Sequence, residues 1–275
     1  MAPIVTVALP VLDGGALLGD VLAAAREQEV DREVELLVVD SGSADGSPEL
    51  ARRHGARVVE IPRAAFSHGG TRNRLMELAR GDHVAFLTQD SQPAHERWLA
   101  ALLDGFGDGV ALVFGPQRPR PDASPMVRRE LLELFERLDG ESTFFSSANG
   151  AVARWAWERV PFHDIAYGED HALAHDMRAA GLRKAYAPEA EVIHSHDLPP
   201  LRAFRRYFDD FHALAEVNGL REPLSPRYIA ARVRNDVAAD RAFMRREGLE
   251  VQTGRSLAHH LARALGRSLG TNWRW

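Results

Sequence analysis

Val34-Glu35-Leu36-Leu37-Val38-Val39-Asp40 runs directly into Ser41-Gly42-Ser43-Ala44-Asp45-Gly46-Ser47, an apolar, β-branched run that delivers a carboxylate into a polar turn. Near-continuous apolarity of this kind marks a strand buried on both faces, as in a parallel sheet. Upstream, Ile4-Val5-Thr6-Val7-Ala8-Leu9 is a second such run, closed by Pro10, and Leu12-Asp13-Gly14-Gly15 turns the chain. Between the two runs Leu17, Leu18, Val21, Leu22 and Ala25 recur at helical spacing, which predicts a βαβ unit. Downstream the alternation continues. Pro48 opens a helix through Arg53, Ala56 to Glu60 is a short strand, and Asp82 to Thr88 is another buried strand that delivers Gln89-Asp90. An open, mostly parallel α/β sheet flanked by helices is expected, with ligands bound outside the C-terminal ends of its strands.

Between these strands lies Phe66-Ser67-His68-Gly69-Gly70-Thr71-Arg72-Asn73. Two glycines let a backbone pass close to a ligand, and Thr71 can cap a helix carrying Arg72, Asn73 and Arg74 in its first turn. Arginines at a helix start face the unfavourable end of the macrodipole, so a negative partner is expected there. An ordinary glycine turn with solvated arginines is the plainer alternative. The chain lacks GxGxxG after its first strand and contains neither GxxxxGK[ST] nor HExxH, which removes the main support for dinucleotide, Walker-type and zinc-protease readings.

Further along, Pro93 to Leu103 reads as a helix, Val110 to Gly115 as a strand, and the proline-rich stretch from Gln117 to Pro125 as a mobile loop. A helix follows from about Val127 to Leu138, then a loop Phe144 to Gly150 and a short strand. Glu169-Asp170 opens a helix to about Ala180, and Ala185 to Ala187 and Glu191 to His194 are two last strands. Beyond Leu198-Pro199-Pro200 only helices are expected: Leu201 to Val217, Ser225-Pro226 to Glu247, and Arg255 to Leu269. Two parts follow from this: 1–197, with a donor half of about 1–115 and an acceptor half of about 116–197, and a helical extension, 198–275.

The 275 residues carry no cysteine, which excludes disulfides, thiol nucleophiles and Cys-ligated zinc. Residues 1–197 hold 20 Lys plus Arg against 31 Asp plus Glu, net −11, and residues 198–275 hold 14 against 8, net +6. A basic tail on an acidic body suits an anionic surface, its own body or a second copy. With no leader and no spanning segment expected, the chain reads as cytoplasmic, with peripheral contact at the inner membrane face or dimerisation through the C-terminal helices left open.

Seven pieces, in order, resemble the family-2 inverting glycosyltransferases of the GT-A fold, most closely the rhamnosyltransferase branch. They are Val7 to Pro10, Val38 to Ser47, Phe66 to Asn73, Phe86 to Asp90, Ser147 to Ala151, Gly168 to Asp170 and Val192 to His196, together covering about 4–197. The resemblance implies a nucleotide-sugar fold and transfer of a hexose, such as rhamnose, from UDP, dTDP or GDP to a hydroxyl of a glycan, glycolipid or small molecule. The acceptor could be lipid-linked or a polysaccharide; nucleic acid is not implied. Pro10, Asp40, Ser41, His68, Gly69, Arg72, Asn73 and Gln89 are implied on the donor side, with Asp40 at the nucleoside. Asp90 and His194 are implied as ligands of Mn²⁺ or Mg²⁺, with His196 the alternative. Asp170 is implied as the general base, and Asn149 and Glu169 on the acceptor side. One departure stands out: Thr88-Gln89-Asp90 occupies the family's Asp-x-Asp place with only the last acid present. That departure also supports the rival expectation, a non-catalytic sugar-nucleotide-binding or membrane-associated scaffold protein.

Overall fold

The computed structural model describes residues 4–140, 144–165 and 167–273. The chain forms two compact units, Met1–Arg118 with Arg137–His194, and Pro119–Glu136 with Ser195–Trp275.

The first unit is built on a seven-stranded sheet. Its strands are β1 (Ile4–Val11), β2 (Glu33–Asp40), β3 (Arg57–Glu60), β4 (His83–Leu87), β6 (Val110–Phe114), β8 (Asn149–Ala153) and β9 (Arg183–Tyr186), in the order β3-β2-β1-β4-β8-β6-β9. Every pairing is parallel except those of β8, which runs against both β4 and β6. The central strands bury both faces, as their apolar runs require: Val5, Val7, Leu9, Leu36 and Val38 pack on one side, Ala8, Leu37, Val39, Val84 and Phe86 on the other. Helices α1 (Gly15–Arg26), α2 (Ser47–Arg53), α3 (His68–Leu78), α4 (Trp98–Asp104), α6 (Arg154–Trp157) and α7 (Glu169–Ala179) complete the unit. Pro10 lies within β1 but past its last pair with β4, Ala8 with Phe86, so its missing N–H falls outside that ladder.

A second, three-stranded sheet joins β5 (Gln92–Pro93), β10 (Val192–Ile193) and β7 (Gln117–Arg118) in the order β5-β10-β7. The structure corrects the reading of two segments here. Pro93 ends a strand rather than starting a helix, and Gln117–Arg118 is a paired strand rather than part of a mobile loop.

The second unit holds α5 (Pro125–Phe135), α8 (Pro200–Asn218), α9 (Pro226–Arg246) and α10 (Thr253–Asn272). The expected boundary at residue 197 differs from the structure in one element, since α5 groups with the C-terminal helices. The reason is ionic: Arg129 on α5 meets Asp240 on α9 at 2.6 Å, and Glu130 meets Arg263 on α10 at 2.6 Å. Helices α8 and α10 approach closely because Gly266 and Gly270 present no side chain; a Cβ there would lie 2.6 Å from Phe204 O and 2.4 Å from Phe208 O. Many of the tail's arginines are paired within this unit, Arg255 with Asp197 and Arg267 with Glu222 among them. No described helix is long and apolar enough to cross a membrane.

Candidate active site

The loops after β1, β2 and β4 leave the same end of the first unit's sheet. The loop before antiparallel β8 reaches that end too, because Asn149 pairs with Leu87. Asp40 closes β2, is 1 % exposed, and is held by a tight turn: its Oδ1 accepts from the Gly42 and Ser43 N–H groups at 3.0 and 2.9 Å, and its Oδ2 from the Ser43 hydroxyl at 2.5 Å. Ser41 is buried and donates to Val11 O. The two loops brace each other, the Asp13 N–H donating to Ser43 Oγ and the Gly15 N–H to Asp45 Oδ2, both at 2.8 Å. Gln89 accepts from the Leu12 N–H at 2.8 Å and so ties the β4 loop to the β1 loop.

Helix α3 starts four residues earlier than expected. Its cap is Ser67, whose hydroxyl accepts from the Gly70 N–H at 3.1 Å, and not Thr71. The glycines make room for the chain itself: a Cβ on Gly69 would lie 1.6 Å from His163 O, and one on Gly70 2.8 Å from Asp164 Oδ1. Asn73 is a clamp on the same segment, donating to Phe162 O and accepting from Trp157 Nε1 and the Phe162 N–H. Arg72 meets Glu169, whose Oε1 lies 2.7 Å from Arg72 Nη1 with both side chains 6 % exposed, and Arg74 meets Glu77 at 3.1 Å. Arg72 also donates to His68 O, and the His68 ring packs edge-on against Tyr167. Burial, opposed by the Arg72 guanidinium and reinforced by the Asp170 carboxylate, pushes Glu169 up to about 7. Gly168, at φ 79°, makes the left-handed turn that starts α7, and Asp170 follows in the first turn. Asp170 is half-buried, its Oδ1 accepting from the His171 N–H at 2.8 Å and its Oδ2 from the Ser147 N–H at 3.3 Å.

The small sheet does what sequence distance hides. Antiparallel pairing of β5 with β10 sets the loop Thr88-Gln89-Asp90-Ser91 beside His194, and His194 Nε2 lies 3.5 Å from Asp90 Oδ1. Thr88, at the missing acid's position, donates to Asp90 Oδ1 at 2.8 Å and orients it. His194 is 6 % exposed, and its Nδ1 meets Gln117 Oε1 at 2.8 Å, while Gln117 Nε2 donates to Ser146 Oγ. An amide oxygen only accepts, so Nδ1 carries the proton and Nε2 turns its lone pair toward Asp90. A carboxylate oxygen and an imidazole lone pair at this separation form a pair that one cation bridges. Gln117, the residue that sets this tautomer, carries no sequence signal. His196 belongs to the second unit.

Asn149, expected on the acceptor side, is fully buried. Its Nδ2 donates to Pro116 O at 2.8 Å and Ala190 O at 2.7 Å, and its Oδ1 accepts from Trp98 Nε1 at 2.8 Å.

Residues 6–163 match the family described as Glycosyl transferase family 2. The chain is 32 % identical over 230 residues to the O-antigen chain rhamnosyltransferase WbaN of Salmonella anatum, covering 77 % of this chain and 73 % of the relative. A mannosyltransferase from Pyrobaculum calidifontis, solved with GDP-Man and Mn²⁺, superposes with a TM-score of 0.67 at 19 % identity, covering 98 % of this chain and 88 % of that one. Glucosyl-3-phosphoglycerate synthase from Mycobacterium tuberculosis, solved with Mn²⁺, UDP and glucosyl-3-phosphoglycerate, superposes with a TM-score of 0.60 at 26 % identity, covering 80 % and 81 %.

Proposed function

The chain belongs to glycosyl transferase family 2, with the GT-A fold, and we propose that it moves a rhamnosyl or other hexosyl group from a nucleoside diphosphate to an acceptor hydroxyl with inversion. The observation that carries this reading is the pairing of Asp90 with His194, 104 positions apart in the chain, at the end of the sheet that the Asp40, Gln89 and Ser147 loops also reach. Similarity to a rhamnosyltransferase favours rhamnose as the sugar, and a lipid-linked or polysaccharide hydroxyl as the acceptor. An acceptor of that kind goes with peripheral contact at a membrane's inner face, which vesicle flotation tests.

Asp90 and His194 would hold a divalent cation; a carboxylate with an imidazole suits Mn²⁺, and Mg²⁺ is the alternative. When bound, the cation offsets the charge of the departing diphosphate. Gln117 keeps the His194 proton on Nδ1, and Thr88 keeps Asp90 turned to the same point. Asp40 and Ser41 shape the nucleoside side, with Gln89 holding the two loops in register.

Asp170 is the base. As the acceptor oxygen bonds to the anomeric carbon, its proton passes to the Asp170 carboxylate, and the bond from that carbon to the diphosphate oxygen breaks with its electron pair leaving on the diphosphate. Attack and departure on opposite faces invert the centre. The buried Arg72–Glu169 pair fixes the start of α7 against α3, so Arg72 acts through Glu169 as a positioning residue rather than on the phosphates.

The test is release of nucleoside diphosphate from UDP-, dTDP- and GDP-sugars with Mn²⁺, with the product anomer read by NMR. Asp170→Asn is expected to lower turnover by about 10²–10⁴-fold with donor binding kept. Full turnover in that variant, or a product with retained configuration, contradicts the proposal.

A further inference from the structure

The second unit contains a buried cluster that no part of the transfer reaction uses. On α10, His259 and His260 turn opposite nitrogens toward one carboxylate of α5: His259 Nε2 lies 3.2 Å and His260 Nδ1 3.5 Å from Glu130 Oε1. Ligands about 2.0–2.1 Å from a tetrahedral zinc ion stand about 3.3 Å from one another, so these separations are those of a ligand set. The three donor atoms lie within 4.8 Å of each other.

His260 supplies the second, independent observation. It is 1 % exposed, its Nε2 lies 2.6 Å from Asp240 Oδ2, and its Nδ1 has no hydrogen-bond partner among the described residues. The Asp240 carboxylate also accepts from Ser256 Oγ at 2.5 Å and Arg129 Nε at 2.6 Å, so it accepts the Nε2 proton too. The lone pair of a neutral ring is then on Nδ1, aimed at Glu130 and, 3.7 Å away, at Asp236 Oδ2. A carboxylate on the far nitrogen of a histidine is the outer support of metal-binding imidazoles. Glu130 is oriented as well. Arg263 at 2.6 Å on Oε1 and the Tyr207 hydroxyl at 3.2 Å on Oε2 orient that carboxylate from outside.

Charge points the same way. Four carboxylates, Glu130, Glu133, Asp236 and Asp240, meet two guanidiniums, Arg129 and Arg263, which leaves a deficit of two positive charges around neutral rings. We infer that Glu130, His259 and His260 form a binding site for a divalent transition metal, Zn²⁺ by its donor set, with Asp236 or water as fourth ligand. The ion would clasp α5 to α10 across about 130 residues of chain, a structural role separate from the donor-site cation.

The experiment uses the full chain in a His194→Ala background, which removes the donor-site imidazole, stripped with chelator and titrated with ZnCl₂ and, separately, CoCl₂. One zinc per chain should bind and raise the thermal midpoint, and Co²⁺ should give the intense visible bands of a tetrahedral site. His259→Gln, at the edge of the cluster, should stay folded by circular dichroism, bind zinc at least about 100-fold more weakly and lose the bands. The competing occupant of the same charge deficit is a proton on each ring. No zinc uptake by the stripped chain, or uptake unaffected by His259→Gln, overturns the inference.

Discussion

Replacing Asn149 by Ala separates a framework residue from an acceptor contact. Its amide makes three buried hydrogen bonds, to Pro116 O, Ala190 O and Trp98 Nε1, at 2.7 to 2.8 Å, and neither Asn149 nor Trp98 is exposed. In Asn149→Ala the indole N–H and Ala190 O lose this partner at about 1–3 kcal/mol each. Pro116 O keeps the Val192 N–H and loses about 1 kcal/mol. The sum, about 3–7 kcal/mol, is a large share of a typical domain's stability. At roughly 2–4 °C per kcal/mol it lowers the melting midpoint by about 6 °C or more. Differential scanning calorimetry reads the shift, and donor binding well below the transition should match the wild type. A midpoint within about 3 °C of wild type together with a raised acceptor KM would refute the framework role and return Asn149 to the acceptor side.

Arg72→Met removes the cation that opposes burial of Glu169, which then stays protonated, so it should cost about 1–3 kcal/mol for the lost buried hydrogen bond and lower kcat more than it raises the donor KM; a rise confined to donor KM would mean that Arg72 binds the phosphates directly. Gly69→Ala forces a Cβ to within 1.6 Å of His163 O, so limited proteolysis should cut faster around residues 162–165, whereas an unchanged digest would put the loop elsewhere. Because burial raises Glu169 from an ordinary 4.5 to about 7, the folded state binds the extra proton, and this group's contribution to stability falls as pH rises from about 4.5 through 7. Urea midpoints of Glu169→Gln should lack that fall; parallel pH profiles would contradict the assignment. Gly266→Val, driven against Phe204 O, should cost about 1–3 kcal/mol or more in the helical unit.

The sheet could be read from the sequence because its strands are buried on both faces, so apolar runs such as Val34–Val39 had one structural meaning. The antiparallel sense of β8 could not, since a five-residue run carries no direction. Proline and a two-residue length hid β5 and β7, although these short strands create the site by bringing His194 to Asp90. Single polar residues were harder. Asn73 and Asn149 look like ligand-facing amides in sequence, yet both are saturated by the chain's own backbone and indoles. Arg72, read as the start of α3, lies a full turn inside it. The packing of α3 with α7, which sequence does not show, pairs it with Glu169. The buried cluster around Glu130 gave no local signal, because its members are some 130 residues apart and follow no motif spacing.

The most direct measurement is calorimetric titration of the wild type and of His194→Ala with UDP, dTDP and GDP, each with Mn²⁺ and with EDTA. The Asp90–His194 account predicts tight, base-selective binding to the wild type with Mn²⁺, loss of most of that affinity in EDTA, and the same loss in His194→Ala with Mn²⁺ present. Equal affinity in all three conditions, or no binding of any diphosphate, would contradict it.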